Sequence, residues 1–450
     1  MQDTPKSKID TLIEARWIIP VDTLHSVLCN HAIAINHGKI IDILPIKPAH
    51  ARFKADKVYI LHNHALIPGL VNLHTHAAMT LLRGLADDLP LMEWLNQHIW
   101  PTESRHVSQS FVRDGTYIAC AEMLRGGITC FNDMYFFPEA IAQAALDIGM
   151  RASIGMIAID FPTAYASDAD DYLAKGMALR DTQHPNPLLS FCFAPHAPYT
   201  VSDKTLTNIL TYAEQLESPI HIHLHETVDE IRISMETYNM RPIERLHQLG
   251  MLSPSLIAVH MVHLTDNEIG LLKQHGCHIA HCPSSNLKLA SGFAPITTLL
   301  DNGINVGLGT DSAASNNRLD ILEEMRLAAL LAKASSNRAD ALPAHQALEM
   351  ATINGARALG IDAITGSLEP GKAADITALD FSDLHLSPCY DPVSHLVYAA
   401  GRDQVSHVWV NGKILLEDKQ FITLDNAALY NRAAYWEECI KSTHNLTDKK

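Results

Sequence analysis

The 450 residues carry a formal net charge of −16 at pH 7, with 47% hydrophobic and 19% charged residues. That balance is enough to bury a large core and leaves little room for long disordered tracts, while the acidic surplus argues against a surface built to grip nucleic-acid phosphate. No apolar run approaches the ~18 residues of a membrane helix, and the first ten residues lack the apolar core of a secretory signal, so no membrane partner and a cytoplasmic setting are expected.

At this length a large domain with a smaller companion is expected. Residues 8–63 alternate in the β manner, with a turn at Asn36-His37-Gly38-Lys39. Eight short apolar runs follow, at 65–73, 127–132, 151–157, 188–194, 219–224, 256–262, 278–280 and 304–309, separated by helix-like segments such as 111–124 and 319–334. Eight βα repeats predict an α/β fold with a (β/α)8 TIM-like barrel over 65–366. A second hairpin-rich stretch, 376–422, turns at Asn411-Gly412-Lys413. Segments 1–64 and 367–424 are therefore expected to meet as one small β domain, with a C-terminal helix and tail over 425–450 that frays at 445–450. The eight cysteines include no Cys-x-x-Cys pair and read as reduced thiols.

Active sites of such barrels lie at the C-terminal strand ends, so the residues closing each run matter most. The first run ends Asn72-Leu73-His74-Thr75-His76; in an extended segment both imidazoles project to one side and can reach one cation. The same spacing at His62 and His64 precedes the run and is assigned no metal role. The fifth run ends His221-Ile222-His223-Leu224-His225-Glu226, offering His223 as a third ligand and Glu226 within reach of whatever the metal holds. The eighth ends Gly307-Leu308-Gly309-Thr310-Asp311, where an aspartate can ligate metal or take a proton from water. Taken singly, these are a core histidine pair, a His-rich edge and a Gly-rich turn. Three barrel ends converging on one chemistry favour a metal site. His196 closes the fourth run and His260 or His263 the sixth, as substrate or orienting groups; a period of two does not choose between the last two.

The combination of Pro68-Gly69-Leu70-Val71-Asn72-Leu73-His74-Thr75-His76, His223 with Glu226, His260, and Gly309-Thr310-Asp311 resembles the amidohydrolase superfamily. Residues 76–84, Pro101-Thr102-Glu103, His281-Cys282-Pro283-Ser284-Ser285-Asn286 and Leu368-Glu369-Pro370-Gly371-Lys372 narrow the resemblance to its 5-methylthioadenosine/S-adenosylhomocysteine deaminases, over about residues 9–421. The resemblance implies a barrel with a composite β-sandwich. It also implies one divalent metal per subunit, Zn²⁺, held by His74, His76, His223 and Asp311 without a carbamylated lysine, although such N/O donors also accept Fe²⁺ or Mn²⁺. It further implies Glu226 as the acid/base at the purine ring nitrogen, His260 orienting the attacking hydroxide, and Asp311 carrying its proton to the departing ammonia. Trp94 would pack on the nucleoside, Glu103 would bind the ribose hydroxyls, and His196 would contact purine or sugar. A homodimer or higher homo-oligomer is the family's habit.

The expected reaction is hydrolytic deamination of a purine nucleoside, 5-methylthioadenosine to 5-methylthioinosine plus ammonia, with S-adenosylhomocysteine and adenosine as further candidates. The family's carboxylate-binding arginine is absent after Gly149-Met150-Arg151, through Met156, which favours the neutral thioether tail. Alternatives on the same site are a guanine deaminase and a triazine or other amino-heterocycle hydrolase. A metal-free interaction protein on the same fold would show gaps in the ligand set, and all four positions are filled. A cytidine-type deaminase needs Pro-Cys-x-x-Cys, which is missing. A zincin needs a histidine where Asp229 stands.

Overall fold

The computed structural model describes residues 6–444; the tail expected over 445–450 lies outside them. Two eight-stranded sheets organise the chain. The first takes β1 (Ser7–Ile18), β2 (Leu28–Asn36), β3 (Lys39–Pro45) and β4 (Phe53–Pro68) from the N-terminal end. The barrel follows with β5 (Leu70–Thr75), β6 (Ile128–Asp133), β7 (Arg151–Ala158), β8 (Leu189–Pro195), β9 (Ile220–Leu224), β10 (Leu256–His260), β11 (His278–His281) and β12 (Asn305–Leu308). The first sheet is then completed by β13 (Ile376–Asp380), β14 (Val405–Val410), β15 (Lys413–Glu417) and β16 (Gln420–Phe421).

The barrel strands run in sequential order and pair in parallel, with helices in the connections, as expected for (β/α)8 architecture. Its first and last strands are joined side to side by Asn72, whose amide donates to Thr310 Oγ1 at 2.8 Å while its oxygen accepts the Thr310 N–H at 3.0 Å. The helix Gln109–Arg125, capped by Ser108, covers the outside. The C-terminal helix Asn426–His444 lies on it, with Arg432 and Trp436 both anchored on Asp114.

In the small sheet the order β16-β15-β14-β13-β4-β1-β2-β3 puts the two chain ends side by side. The expected sandwich is one continuous sheet curled round its own core, in which Ile13, Ile33, Tyr59 and Trp409 meet. Both turns read from the sequence are two-residue hairpin loops with positive φ, His37-Gly38 and Asn411-Gly412.

One expectation needs correction. The apolar run 65–73 is not one strand: its first four residues end β4, paired to β13, and the barrel begins only after Gly69. A side chain at Gly69 would fall 2.0 Å from Thr129 Oγ1, so only glycine lets the chain pass from one sheet to the other there. Periodicity cannot show this break because both halves are buried and apolar. Among the described residues no helix is long and apolar enough to cross a membrane.

Candidate active site

His74 is the last residue but one of β5 and His76 follows the strand, so the alternation of an extended chain turns both rings the same way. His223 sits on β9, and Asp311 comes three residues after β12 with φ 60°. One donor atom from each lies within 4.8 Å of all the others. His223 Nε2 is 3.2 Å from His74 Nε2 and 3.3 Å from His76 Nε2, and Asp311 Oδ1 is 3.3 Å from both His74 and His76. A tetrahedron built on metal–nitrogen bonds of 2.0–2.1 Å has edges of about 3.3 Å.

The back of each ring explains why these atoms face one another. His223 Nδ1 donates to the His196 carbonyl at 2.7 Å and His76 Nδ1 to the Met134 carbonyl at 2.5 Å, while His74 Nδ1 meets His221 Nε2 at 3.0 Å. Burial holds His223 neutral, far below its usual range, so its Nε2 is a bare lone pair aimed at two further nitrogens, more than one lone pair can bond. Against the effect of burial, the Asp311 carboxylate raises His76 to about 9. The cluster therefore draws positive charge, and its donors fit a divalent metal ion.

Asp311 is itself fixed from behind: Ser285 and Ser315 donate to Oδ2 at 2.6 and 2.7 Å, leaving Oδ1 to the histidines. Burial alone would raise its pKa, but His74 and His76 hold it well below the usual carboxylate range. His260, stacked on His223 with ring centres 5.5 Å apart, donates from Nδ1 to Asn286 Oδ1 at 2.8 Å, so its Nε2 is free to accept. That atom stands 3.7 Å from Glu226 Oε2. His263 turns away to the Ser291 carbonyl at 2.8 Å, and of the two histidines the sequence left open only His260 lines the cavity. His225, His260, Met261 and Asp311 all have positive φ, at 54°, 73°, 53° and 60°. Such backbone costs on the order of 1–2 kcal/mol per residue and concentrates where strand ends are bent to present side chains.

A cavity of about 470 Å³ opens beside the donors. His196 and Glu226 line it near the metal cluster, and Trp94 and Glu103 line it from the segment after β5. Its lining includes Ile157, Ile159 and Phe161, and among the described residues no lysine or arginine lines it. Tyr135 donates to Glu103 Oε1 at 2.6 Å. Burial pushes Glu103 up to about 7 against the pull of that bond, and burial likewise raises Glu226. His62 and His64 lie on β4 in the other sheet, where His64 packs against His407.

Nine ring and carboxylate positions singled out in the sequence, His74, His76, Trp94, Glu103, His196, His223, Glu226, His260 and Asp311, thus gather at one cleft, while His263 and the pair on β4 stand apart. Sequence reasoning missed Tyr135, Ser285, Asn286 and Ser315. Tyr135 comes two residues after β6, so inspecting every strand end would have found it. Ser285 and Asn286 stand in the run beginning at His281, which carried resemblance without an assigned role.

The Amidohydrolase family profile matches residues 65–415. The 5-methylthioadenosine/S-adenosylhomocysteine deaminase of Saccharophagus degradans is 48% identical over 98% of this chain and 98% of its own. The 5'-deoxyadenosine deaminase of Methanosarcina mazei is 40% identical over 94% of this chain and 96% of its own. The crystal structure of an adenosine deaminase from Xanthomonas campestris with bound zinc superposes with a TM-score of 0.96 at 48% identity, covering 97% of this chain and 100% of that one. With the donor cluster and barrel already in place, these likenesses over nearly the whole length mean that the chain belongs to the amidohydrolase family, in its 5-methylthioadenosine/S-adenosylhomocysteine deaminase branch.

Proposed function

We propose that this protein hydrolytically deaminates an adenosine-type nucleoside with a neutral 5' substituent, 5-methylthioadenosine foremost, using one Zn²⁺ per subunit held by His74, His76, His223 and Asp311. The observation that carries the reading is the convergence of those four donors with Glu226 and His260 on one cavity. The names of the relatives point to the same substrate class. The absence of lysine and arginine from the cavity lining favours a neutral tail over an amino-acid tail, whose carboxylate would be buried without a counter-charge.

When bound, the ion supplies Lewis acidity that makes water a nucleophile near neutral pH. The chain's own groups do the rest. Glu226, whose carboxyl burial pushes up from its ordinary range, gives its proton to the purine N1. His260 Nε2, bare because Nδ1 is spent on Asn286, accepts a hydrogen bond from the attacking water and aims it at C6. Asp311 takes a proton from that water and delivers it to the amino group. The C6–N bond breaks, ammonia leaves, and the remaining hydroxyl proton returns to Glu226, which restores both carboxyl groups and leaves a 6-oxo product. Glu103, oriented by Tyr135, accepts the ribose hydroxyls, Trp94 packs on the nucleoside, and His196 contacts the purine or sugar. The reading includes a cytoplasmic homodimer or higher homo-oligomer.

The test is ammonia release by metal-analysed protein offered 5-methylthioadenosine, 5'-deoxyadenosine, adenosine, S-adenosylhomocysteine, guanine and a triazine. Turnover of the first two well above the rest is expected. Faster turnover of guanine or the triazine would overturn the substrate, and zinc-loaded protein silent on every nucleoside would overturn the reaction.

A further inference from the structure

The helix Val228–Tyr238 begins immediately after Glu226, with Thr227 as its N-cap: the Thr227 hydroxyl accepts the Glu230 N–H at 3.2 Å. A Thr-x-x-Glu sequence at such a position ordinarily closes a capping box, in which the glutamate reaches back to the N–H of the cap residue. The helix Asp266–His275 does this with Thr265 and Glu268, whose carboxylate accepts the Thr265 N–H at 2.8 Å. Glu230 occupies the equivalent place and does something else. Its carboxylate has passed beyond the cap: Oε1 accepts the His225 N–H and Oε2 the Glu226 N–H, both at 2.8 Å, and the residue is only 4% exposed.

The segment it holds needs holding. His225 is bent into the left-handed region at φ 54°, and that bend turns the chain so that Glu226 faces His260. The His225 ring is bound on both sides, Nδ1 donating to the His263 carbonyl at 2.8 Å and Nε2 accepting the Ile243 N–H at 3.1 Å. The His225 carbonyl in turn accepts the Val262 and His263 N–H groups. The ends of β9 and β10, which carry Glu226 and His260, are therefore tied together through one residue, and Glu230 fixes its backbone from below.

We infer that Glu230 is a positioning residue for catalysis, a carboxylate clamp on two consecutive backbone N–H groups that sets the direction of the Glu226 side chain. The inference rests on Glu226 acting as the acid/base. A glutamine at 230 keeps the shape but has one accepting oxygen; its amide would put a second donor against a backbone N–H, so one arm of the clamp opens. Glu230 touches neither the metal donors nor the substrate cavity, so an opened clamp alters geometry at Glu226 while leaving binding intact.

The experiment measures kcat, KM, bound metal and melting temperature for Glu230→Gln, Glu226→Gln and the double variant. The clamp predicts that Glu230→Gln lowers kcat per bound metal at least tenfold, leaves KM and metal content within about twofold, and adds nothing further once Glu226 is already glutamine. Wild-type kcat per bound metal in Glu230→Gln, with Glu226→Gln inactive, would overturn the clamp alone. Full turnover in Glu226→Gln would overturn the acid/base reading on which it stands. If Glu230→Gln does not fold, Thr227→Ala decides: removing the ordinary cap should lower the melting temperature and leave kcat within twofold, whereas a tenfold loss of kcat would assign the positioning to the cap and overturn the role of Glu230.

Discussion

Replacing Gly309 with alanine tests how tightly the metal cluster is built. A Cβ there would stand 2.8 Å from His74 Cβ, 2.9 Å from His74 N and 3.0 Å from Cys282 Sγ. Ordinary carbon contacts begin near 3.5 Å, so the two strand ends must part by roughly 0.7 Å. They cannot part freely: the Gly309 N–H is bonded to the His281 carbonyl at 2.9 Å and the Asp311 N–H to the His74 carbonyl at 3.0 Å. The displacement therefore falls on His74 and Asp311 together, in a site where ligand distances tolerate about 0.2 Å. Overpacking of this kind costs about 1–3 kcal/mol of stability, and mis-set ligands lose about 10–100-fold in metal affinity. Competition with a chelator of known affinity reads the second figure and thermal melting of the metal-free protein the first. Gly270→Ala is the control, since a Cβ at Gly270 meets nothing within 4 Å. Metal affinity within twofold of the parent in Gly309→Ala would refute the reasoning, because His74 would then not depend on this contact.

Two further outcomes follow from the groups behind the site. Ser285→Ala and Ser315→Ala each remove one hydroxyl from Asp311 Oδ2; hydrogen bonds to a charged group contribute about 1.5–3 kcal/mol, so each variant should retain metal and lose roughly tenfold or more in kcat, as turnover per bound metal will read. Glu103, raised to about 7 by burial, must be ionised to accept two ribose hydroxyls, so kcat/KM should climb as pH rises through about 7, before loss of the Glu226 proton turns it down again. The same raised pKa makes Glu103 withdraw stability as pH rises from about 4.5 to 7; Glu103→Gln should flatten the kinetic climb, and an unchanged profile would clear Glu103 of the role.

The sequence exposed the chemistry better than the supports of that chemistry. Imidazoles and carboxylates at strand ends are conspicuous because a barrel strand has one predictable exit, and His74, His76, His223 and Asp311 could be read from spacing and position. The choice of His260 over His263 could not, because adjacent chain bends at His260 and Met261 decide it and neither residue type announces a positive φ. Ser285, Ser315, Asn286 and Glu230 stayed hidden for another reason. Serine, asparagine and glutamate have many ordinary uses in turns and helix starts, and only the partner across space distinguishes a cap from a clamp. The break at Gly69 was invisible because two buried strands in tandem have the same composition as one.

The order of strands in the small sheet also governs how the chain is made. β4 lies between β1 and β13, and β13 is encoded about 300 residues later. At ribosomal rates of about 5–20 residues per second, some 15–60 s separate the emergence of the two. Throughout that interval the β4 edge at Ala65, Leu66 and Ile67, fully buried in the finished protein, has no partner. The whole barrel, with its metal donors, is synthesised inside the interval. The nascent protein thus completes its catalytic body while its first-made strands still present an open edge, and β13, made only after the barrel, is the strand that seals it.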